Sequence, residues 1–424
     1  MKKVFLIVLF MSISISIYSQ EVDIVGLANA FNNEVTLLTD EGDWQFHDGL
    51  ARIKKGGKEG FIDKKGQIII PAIYDRVWSF NDGLAQVRNN GKYGYIDKTG
   101  KVIVPINYDE LGDFHEGLAV AKRDELVGFV NKSGAPAISM FFEWCKDFHD
   151  GLARAQGFGK RGYIDKSGGF VFEANFDFCH DFHDGMARVQ DYKRGEGFVD
   201  KTGKLVVPFI YKEVKDFQEG LAKVKKDGKY GMIDKSGKMV IPAVYSSIYD
   251  FHEGLALVEK DHKYGFIDKT GKIVVPLKYG YSPNSYFSEG LASVKLGDKY
   301  GYIDKKGNVV IPFEYEECRP FKEGMASFKK DDLWGWIDKT GKIVIPAAYD
   351  YGGYFTEGLA WGYKANGMSE KYALIDNTGK VLTPFKFDRV GKIENGVAFV
   401  GIEDKPGNMK LGIIDKTGKC TLDK

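Results

Sequence analysis

The chain has 424 residues, 43% of them hydrophobic and 28% charged, a folded-protein composition too long for one compact core unless the architecture is elongated or repetitive. Lys and Arg number 60 against 59 Asp and Glu, which excludes the basic excess that a nucleic-acid surface or a polybasic membrane patch requires. Four cysteines exclude a disulfide scaffold, and 52 glycines with 14% aromatic residues predict many turns joining β-rich segments.

At the N-terminus, Lys2 and Lys3 precede an apolar run over 4–18. This is the layout of a secretory signal peptide over 1–19, with Ser19 as the last residue before cleavage. The run is too short and too rich in Ser for a spanning helix. An exported protein is expected, periplasmic, at the cell surface or extracellular, with no membrane span after cleavage. Residues 20–48 read as an N-terminal cap with a degenerate repeat, because Gly26-Leu27-Ala28 comes only 23 residues before the next such tripeptide. From 49 to 424, Gly-Leu-Ala or a close variant recurs about eleven times, in steps of 34 to 38 residues. Its glycines are Gly49, Gly83, Gly117, Gly151, Gly185, Gly220, Gly254, Gly290, Gly324, Gly358 and Gly396.

The second copy shows the mechanics of one repeat. Residues 84–88 and 93–97 read as strands, joined by Asn90-Gly91, a pair suited to a hairpin turn with positive φ. Asp97-Lys98-Thr99-Gly100 reads as a turn capped by Asp and closed by a left-handed glycine. A third strand over 101–104 is expected to end at Pro105, which cannot donate to a ladder. Residues 108–114 are expected as a short fourth strand. No stretch shows helical spacing. The fold class is therefore all-β, with antiparallel three- to four-stranded units.

Charge columns restrict how the units assemble. The residue before the motif glycine is acidic in ten of eleven copies, and lysine usually follows the turn aspartate. In a parallel β-helix with one rung per repeat, like charges would stack at about 4.8 Å. They would repel by about 1 kcal/mol per neighbour even in water. Multi-stranded units avoid this by setting equivalents roughly 10 Å or more apart. Eleven units exceed the usual blade number of a propeller. An open superhelical, solenoid-like array is the expected architecture, and closed β-propeller-like rings are the alternative.

The octapeptide Tyr93-Gly94-Tyr95-Ile96-Asp97-Lys98-Thr99-Gly100 and its copies carry a family likeness. So do Ile68-Ile69-Ile70-Pro71 with Tyr74 and the Phe-x-Glu-Gly-Leu-Ala elements. Together they resemble the bacterial WG-repeat family over nearly all of the chain. Trp-Gly itself stands in that slot at Trp334-Gly335, other copies have Tyr-Gly, and the third and fourth have Ser139 and Glu173 in place of the motif proline. The resemblance implies a β-repeat module and transfers no activity and no catalytic residue.

Candidate chemistry is weighed column by column. His47, His115, His149, His183 and His252 share one phase, two residues before the motif glycine. A row of metal ligands is one reading. Asn81, Gln218, Ser288, Lys322 and Thr356 fill the same slot elsewhere, so the expectation is a surface turn without metal, the equivalents lying too far apart to share an ion. Cys145, Cys179 and Cys318 occupy a slot held elsewhere by Val77, Leu111, Val214, Ile248 and Val390, hence a core position with buried, reduced thiols. Cys420 stands apart near the C-terminus and would be reactive if exposed. The acidic column is expected to accept backbone N–H groups within its own turn. No phosphate loop or nucleophile turn occurs, so neither cofactor nor catalytic residue is assigned. The irregular segments 280–286 and 361–371, and Trp78, Trp144 and Trp361 as stacking platforms, are the candidate ligand surface. A secreted non-enzymatic binding or scaffold protein is expected, using an extended β-repeat surface for protein–protein interaction. A carbohydrate- or envelope-binding module is the alternative, and nucleic acid is not an expected partner.

Overall fold

The alternation of each repeat translates directly into strands. In the second copy these are Arg76–Val77, Leu84–Asn89, Lys92–Asp97 and Val102–Tyr108. Asn90 and Gly91 both have positive φ, 50° and 79°, as the hairpin requires. Asp97 Oδ1 accepts the Thr99 and Lys101 N–H groups at 2.9 and 3.1 Å, and Gly100 closes the turn at φ 85°. The computed structural model describes residues 36–38, 45–366, 369–405 and 408–423. The signal peptide at 1–19 and most of the cap at 20–48 lie outside the described residues.

The strands form eleven antiparallel sheets in chain order, nine of four strands and two of three. They are numbered here as blades 1 to 11. Thr36–Leu37, within the stretch read as a cap, pairs with Leu50–Lys55 as the first strand of blade 1. In blades 10 and 11 the fourth strand is reduced to single bridges, such as Ile375 to Val381 and Ile414 to Cys420. No α-helix occurs among the described residues.

Two local expectations change. Pro105 does not end its strand, which runs three residues further to Tyr108. The fourth strand has one neighbour only, so a missing N–H on its open side leaves no ladder bond unmade. The segment expected as a fourth strand is Glu110–His115, the first strand of the next blade.

Closure is decided by the cores. Eleven apolar clusters occur, and each lies between two successive blades. One of them joins the last blade to the first. Phe46, Ala51, Ile53 and Ile62 pack on Val397, Phe399 and Ile413, with the Phe46 and Phe399 rings stacked at 4.8 Å. An open array would have one interface fewer than it has blades. The chain is therefore an eleven-bladed, propeller-like ring, and the open superhelical array is corrected to the closed alternative. The physical reason is the sum of small rotations: each aromatic-rich interface fixes a similar turn between blades, and eleven such turns bring the ends together. Because every blade is sandwiched between two others, its middle strands are buried on both faces, as in Lys92–Asp97, where Gly94, Tyr95 and Ile96 are all buried.

Candidate functional site at the axial rim

The loop between first and second strands carries the motif glycine, and its geometry is backbone strain held by the neighbouring blade. The acid before the glycine is itself left-handed, with φ 53° at Asp48 and at Glu289. Its carboxylate reaches forward to the next blade. Asp48 accepts the Gly83 N–H at 2.7 Å, Glu289 that of Gly324 at 3.0 Å, and Glu323 that of Gly358 at 2.9 Å. The turn lysine of the next blade joins the same carboxylate: Lys235 meets Asp184 at 2.6 Å, Lys305 meets Glu253 at 3.0 Å and Lys339 meets Glu289 at 2.9 Å. The acids thus latch blade to blade rather than within their own turn. Burial pushes the Glu289 carboxyl up, but Lys339 and the Gly324 N–H outweigh it and hold it below its ordinary value.

These loops bring repeat equivalents together at the axis. The rings of His115, His149 and His183, from blades 3, 4 and 5, follow one another at 5.6 Å. Lys322 donates to Thr356 Oγ1 at 2.9 Å in the same column. This corrects the wide separation expected of equivalent residues. Radial arrangement packs the inner ends of the blades closely while the outer ends diverge. Even so, no three His, Cys, Asp or Glu side chains form a metal-binding group among the described residues.

A second column, two residues before the histidines, shows in the sequence only as Asp-Phe-His runs. It holds Asp113, Asp147, Asp181, Asp216 and Asp250 in blades 3 to 7, and then Tyr286, Pro320, Tyr354 and Lys392 in blades 8 to 11. His115 Nε2 stands 3.7 Å from Asp147, and His183 Nε2 stands 4.0 Å from Asp216. Arg154 is bidentate to Asp181 at 2.7 and 3.1 Å and donates to the Cys179 carbonyl at 2.7 Å. Arg188 lies 3.3 Å from Asp216 and 3.1 Å from His180 Nδ1. Burial, and then the Arg188 charge, hold the His180 pKa below its ordinary value. The repeated Asp-Phe-His run was the available signal for this column, masked by Ser79, Tyr286 and Pro320 in the other copies.

The rim is thus unlike on its two sides. Blades 3 to 7 present imidazoles and carboxylates. In the blades that follow, the Arg319 guanidinium lies over Trp334 at 4.7 Å and Tyr351 at 4.4 Å, and at the border Tyr286 packs on His252 of blade 7 at 4.7 Å. Between blades 6 and 7 a cavity of about 340 Å³ opens beside Asp216, Gln218, Lys223, Tyr249 and Asp250.

The three tryptophans occupy three different columns. Trp78 is half-buried under Arg76, 5.0 Å from its ring. Trp144 is half-buried and donates to Gln156 at 3.0 Å. Trp361 packs into the interface of blades 10 and 11 and donates to the Gly391 carbonyl at 2.9 Å, the blade-to-blade bond that Gln86 and Arg154 make elsewhere. Segment 280–286 stands at the rim, with Tyr281 against Tyr264 at 5.5 Å. The insertion at 361–371 instead lengthens a hairpin, Leu359–Asn366 with Ser369–Asp376. Cys145, Cys179 and Cys318 are buried free thiols, and Cys420 is buried as well.

A family model described as "WG containing repeat" matches ten segments, at 60–93, 93–126, 128–156, 162–193, 197–230, 230–264, 264–300, 300–334, 334–361 and 372–405. No curated protein matches the chain. Among solved structures, one titled a eukaryotic initiation factor is 11% identical, with a TM-score of 0.40 over 80% of this chain and 95% of its own. The computationally designed Ika8 protein is 13% identical, with a TM-score of 0.28 over 73% of this chain and 97% of its own. BamB from Moraxella catarrhalis is 11% identical, with a TM-score of 0.29 over 51% of this chain and 78% of its own.

Proposed function

From the premise that this chain belongs to the WG-repeat family, we propose that the ring is an exported, non-enzymatic scaffold that binds a protein partner through the surface its repeats assemble. The observation that carries this reading is the division of labour among repeated positions. The acid and lysine columns are spent on blade-to-blade latches, and they recur around the ring. The axial columns at Asp147, His149 and their equivalents change from blade to blade, so their identity is not dictated by the repeat geometry. A surface that varies on an invariant frame suits recognition, whereas catalysis calls for one unique constellation. Residues Trp78 and Trp144 remain the candidates for the carbohydrate- or envelope-binding alternative, in which each ring would stack on a sugar face.

The test is direct binding of the purified protein to an Arg- and Lys-rich peptide, an acidic peptide and a panel of soluble glycans. Retention of the basic peptide, lost in Asp113→Asn combined with Asp147→Asn, is the expected result. Glycan binding abolished by Trp144→Ala, with no peptide bound, would replace the protein-binding reading by the carbohydrate one. Export is tested separately, by mass spectrometry of the protein recovered outside the cytoplasm. An intact Met1 there would refute cleavage near Ser19.

A further inference from the structure

In blades 1 to 9 the outermost strand is the fourth, and each is an edge with one neighbour. An open edge invites pairing with another chain, and proline is one of the devices that prevents it. Seven of these strands carry proline at the fourth of their seven residues: Pro71, Pro105, Pro208, Pro242, Pro276, Pro312 and Pro346. In blade 4 the slot holds Glu173, whose carboxylate pairs with Lys160 at 2.8 Å. Blade 3 has neither guard in that slot, its proline standing at the first position instead. Its edge strand, Pro136–Phe142, reads Pro-Ala-Ile-Ser-Met-Phe-Phe, with exposed Ser139 in the slot and no charge anywhere. Strand pairing in blade 3 keeps the register of the proline-bearing blades: Phe129 faces Ile138 as Tyr95 faces Val104. The third strand therefore has no use for the N–H that Ser139 restores.

A second anomaly stands beside the first. The hairpin slot that holds Gly56, Asn90, Asp124, Asp227, Asp261 and Asp331 in other blades is Phe158 in blade 4. All are left-handed, and Phe158 has φ 56°, a conformation that disfavours a bulky side chain. Its ring is 69% exposed and lies 6.2 Å from that of Phe141, itself 59% exposed. Local strain and two exposed rings converge on the edge whose central slot lacks proline and charge.

We propose that this edge is a homodimer interface, with a second copy of the chain docked on blade 3 about a two-fold axis near Ser139. Self-pairing fits the strand. Antiparallel pairing centred on Ser139 sets residues equidistant from it against each other, so Phe141 of each copy meets Ala137 of the other, large against small. An uncharged strand meets itself without like-charge repulsion, and an isologous contact closes at two copies. Phe158 then covers Phe141 from the hairpin side of the same copy.

Sedimentation equilibrium of the full-length protein at micromolar concentration reads the outcome. The expected result is a monomer–dimer equilibrium. Ser139→Pro, which installs the residue seven other blades already accommodate, shifts it to monomer with an unchanged melting temperature. Phe158→Gly, which relieves the left-handed strain, weakens the dimer by about tenfold or more without unfolding the blade. A protein that stays monomeric at all concentrations overturns the proposal. So does a dimer that survives both variants. If Ser139→Pro fails to fold, the Phe158→Gly measurement alone decides.

Discussion

Two interfaces of the ring differ in how they are held, the one between blades 8 and 9 and the one where blade 11 meets blade 1. Between blades 8 and 9, Leu291, Tyr302, Ile311 and Tyr315 pack on Cys318, Phe321 and Phe328. Polar bonds reinforce them: the Tyr302 hydroxyl donates to the Arg319 carbonyl at 2.6 Å, and Glu289 takes both Lys339 and the Gly324 N–H. At the closing interface the apolar cluster is present, but Asn395 stands where the other blades have an acid. Lys64 there is held below its ordinary pKa by burial, with Glu394 and Glu357 acting against that. Covalent continuity differs as well, because blades 8 and 9 are consecutive in the chain and blades 11 and 1 are its two ends. At the seam an apolar cluster joins the two blades without an acid in the latch slot.

The largest test of the comparison is removal of a blade. Excising residues 220–253, one full period, would leave an open array shorter but folded. In the ring it separates the seam partners, and the expected outcome is loss of cooperative folding, read by circular dichroism on heating. A folded, cooperative product would show that the seam is dispensable.

Next in size are single ring truncations on either side of the comparison. Phe399→Ala at the seam and Phe328→Ala at the blade 8–9 interface should each cost about 3–5 kcal/mol. Hydrogen exchange distinguishes them. With Phe399→Ala, blades 1 and 11 lose protection together and before the rest. With Phe328→Ala, chain continuity and the Glu289 latch keep blades 8 and 9 adjacent. Equal exchange patterns would remove the distinction drawn here.

A smaller effect follows from pH. In the internal latches Glu116, Glu253 and Glu289 are pushed up by burial, yet their lysine partners and backbone donors hold each below its ordinary value; for Asp184 the Lys235 bond leads. A carboxylate with a lowered folded pKa contributes stability above its unfolded pKa and loses it as pH falls through the folded value. Acidification from about pH 6 to below about pH 4 should therefore weaken the latched interfaces more than the seam, which has no acid at position 395. Exchange rates at the two interfaces should converge as pH falls. The smallest effect is expected of Cys179→Val, nearly neutral in thermal melts, because Val fills the same buried slot as Val77 and Val214. Fast labelling of Cys179 or Cys318 by a thiol reagent without denaturant would contradict their burial.

What could be read without the fold was what one repeat needs for itself. Alternating apolar residues gave the middle strands of blade 2 to within a residue, and Asn90-Gly91 gave the hairpin. The cysteine slot was legible because other copies fill it with Val, Leu or Ile. The site was less legible. The histidine column was found, but its five members look alike in the sequence, and only the ring shows that three of them touch. The aspartate shows in the Asp-Phe-His runs, but the column as a whole is hidden because the slot changes character halfway round. The bond of Trp361 to the Gly391 carbonyl was not legible, because its partner is 30 residues away.

The sequence by itself determined the repeat, the antiparallel unit, the left-handed turn positions and the buried columns, because each depends on side-chain alternation and backbone φ within a few residues. Tertiary structure decided the rest. Whether eleven equal units form a superhelix or a ring depends on a small rotation at every interface, summed over the whole chain, and no single residue carries that sum. The same closure turned the acids from local caps into latches between blades, brought His115, His149 and His183 into one row, and left Pro136–Phe142 as an open edge on the rim.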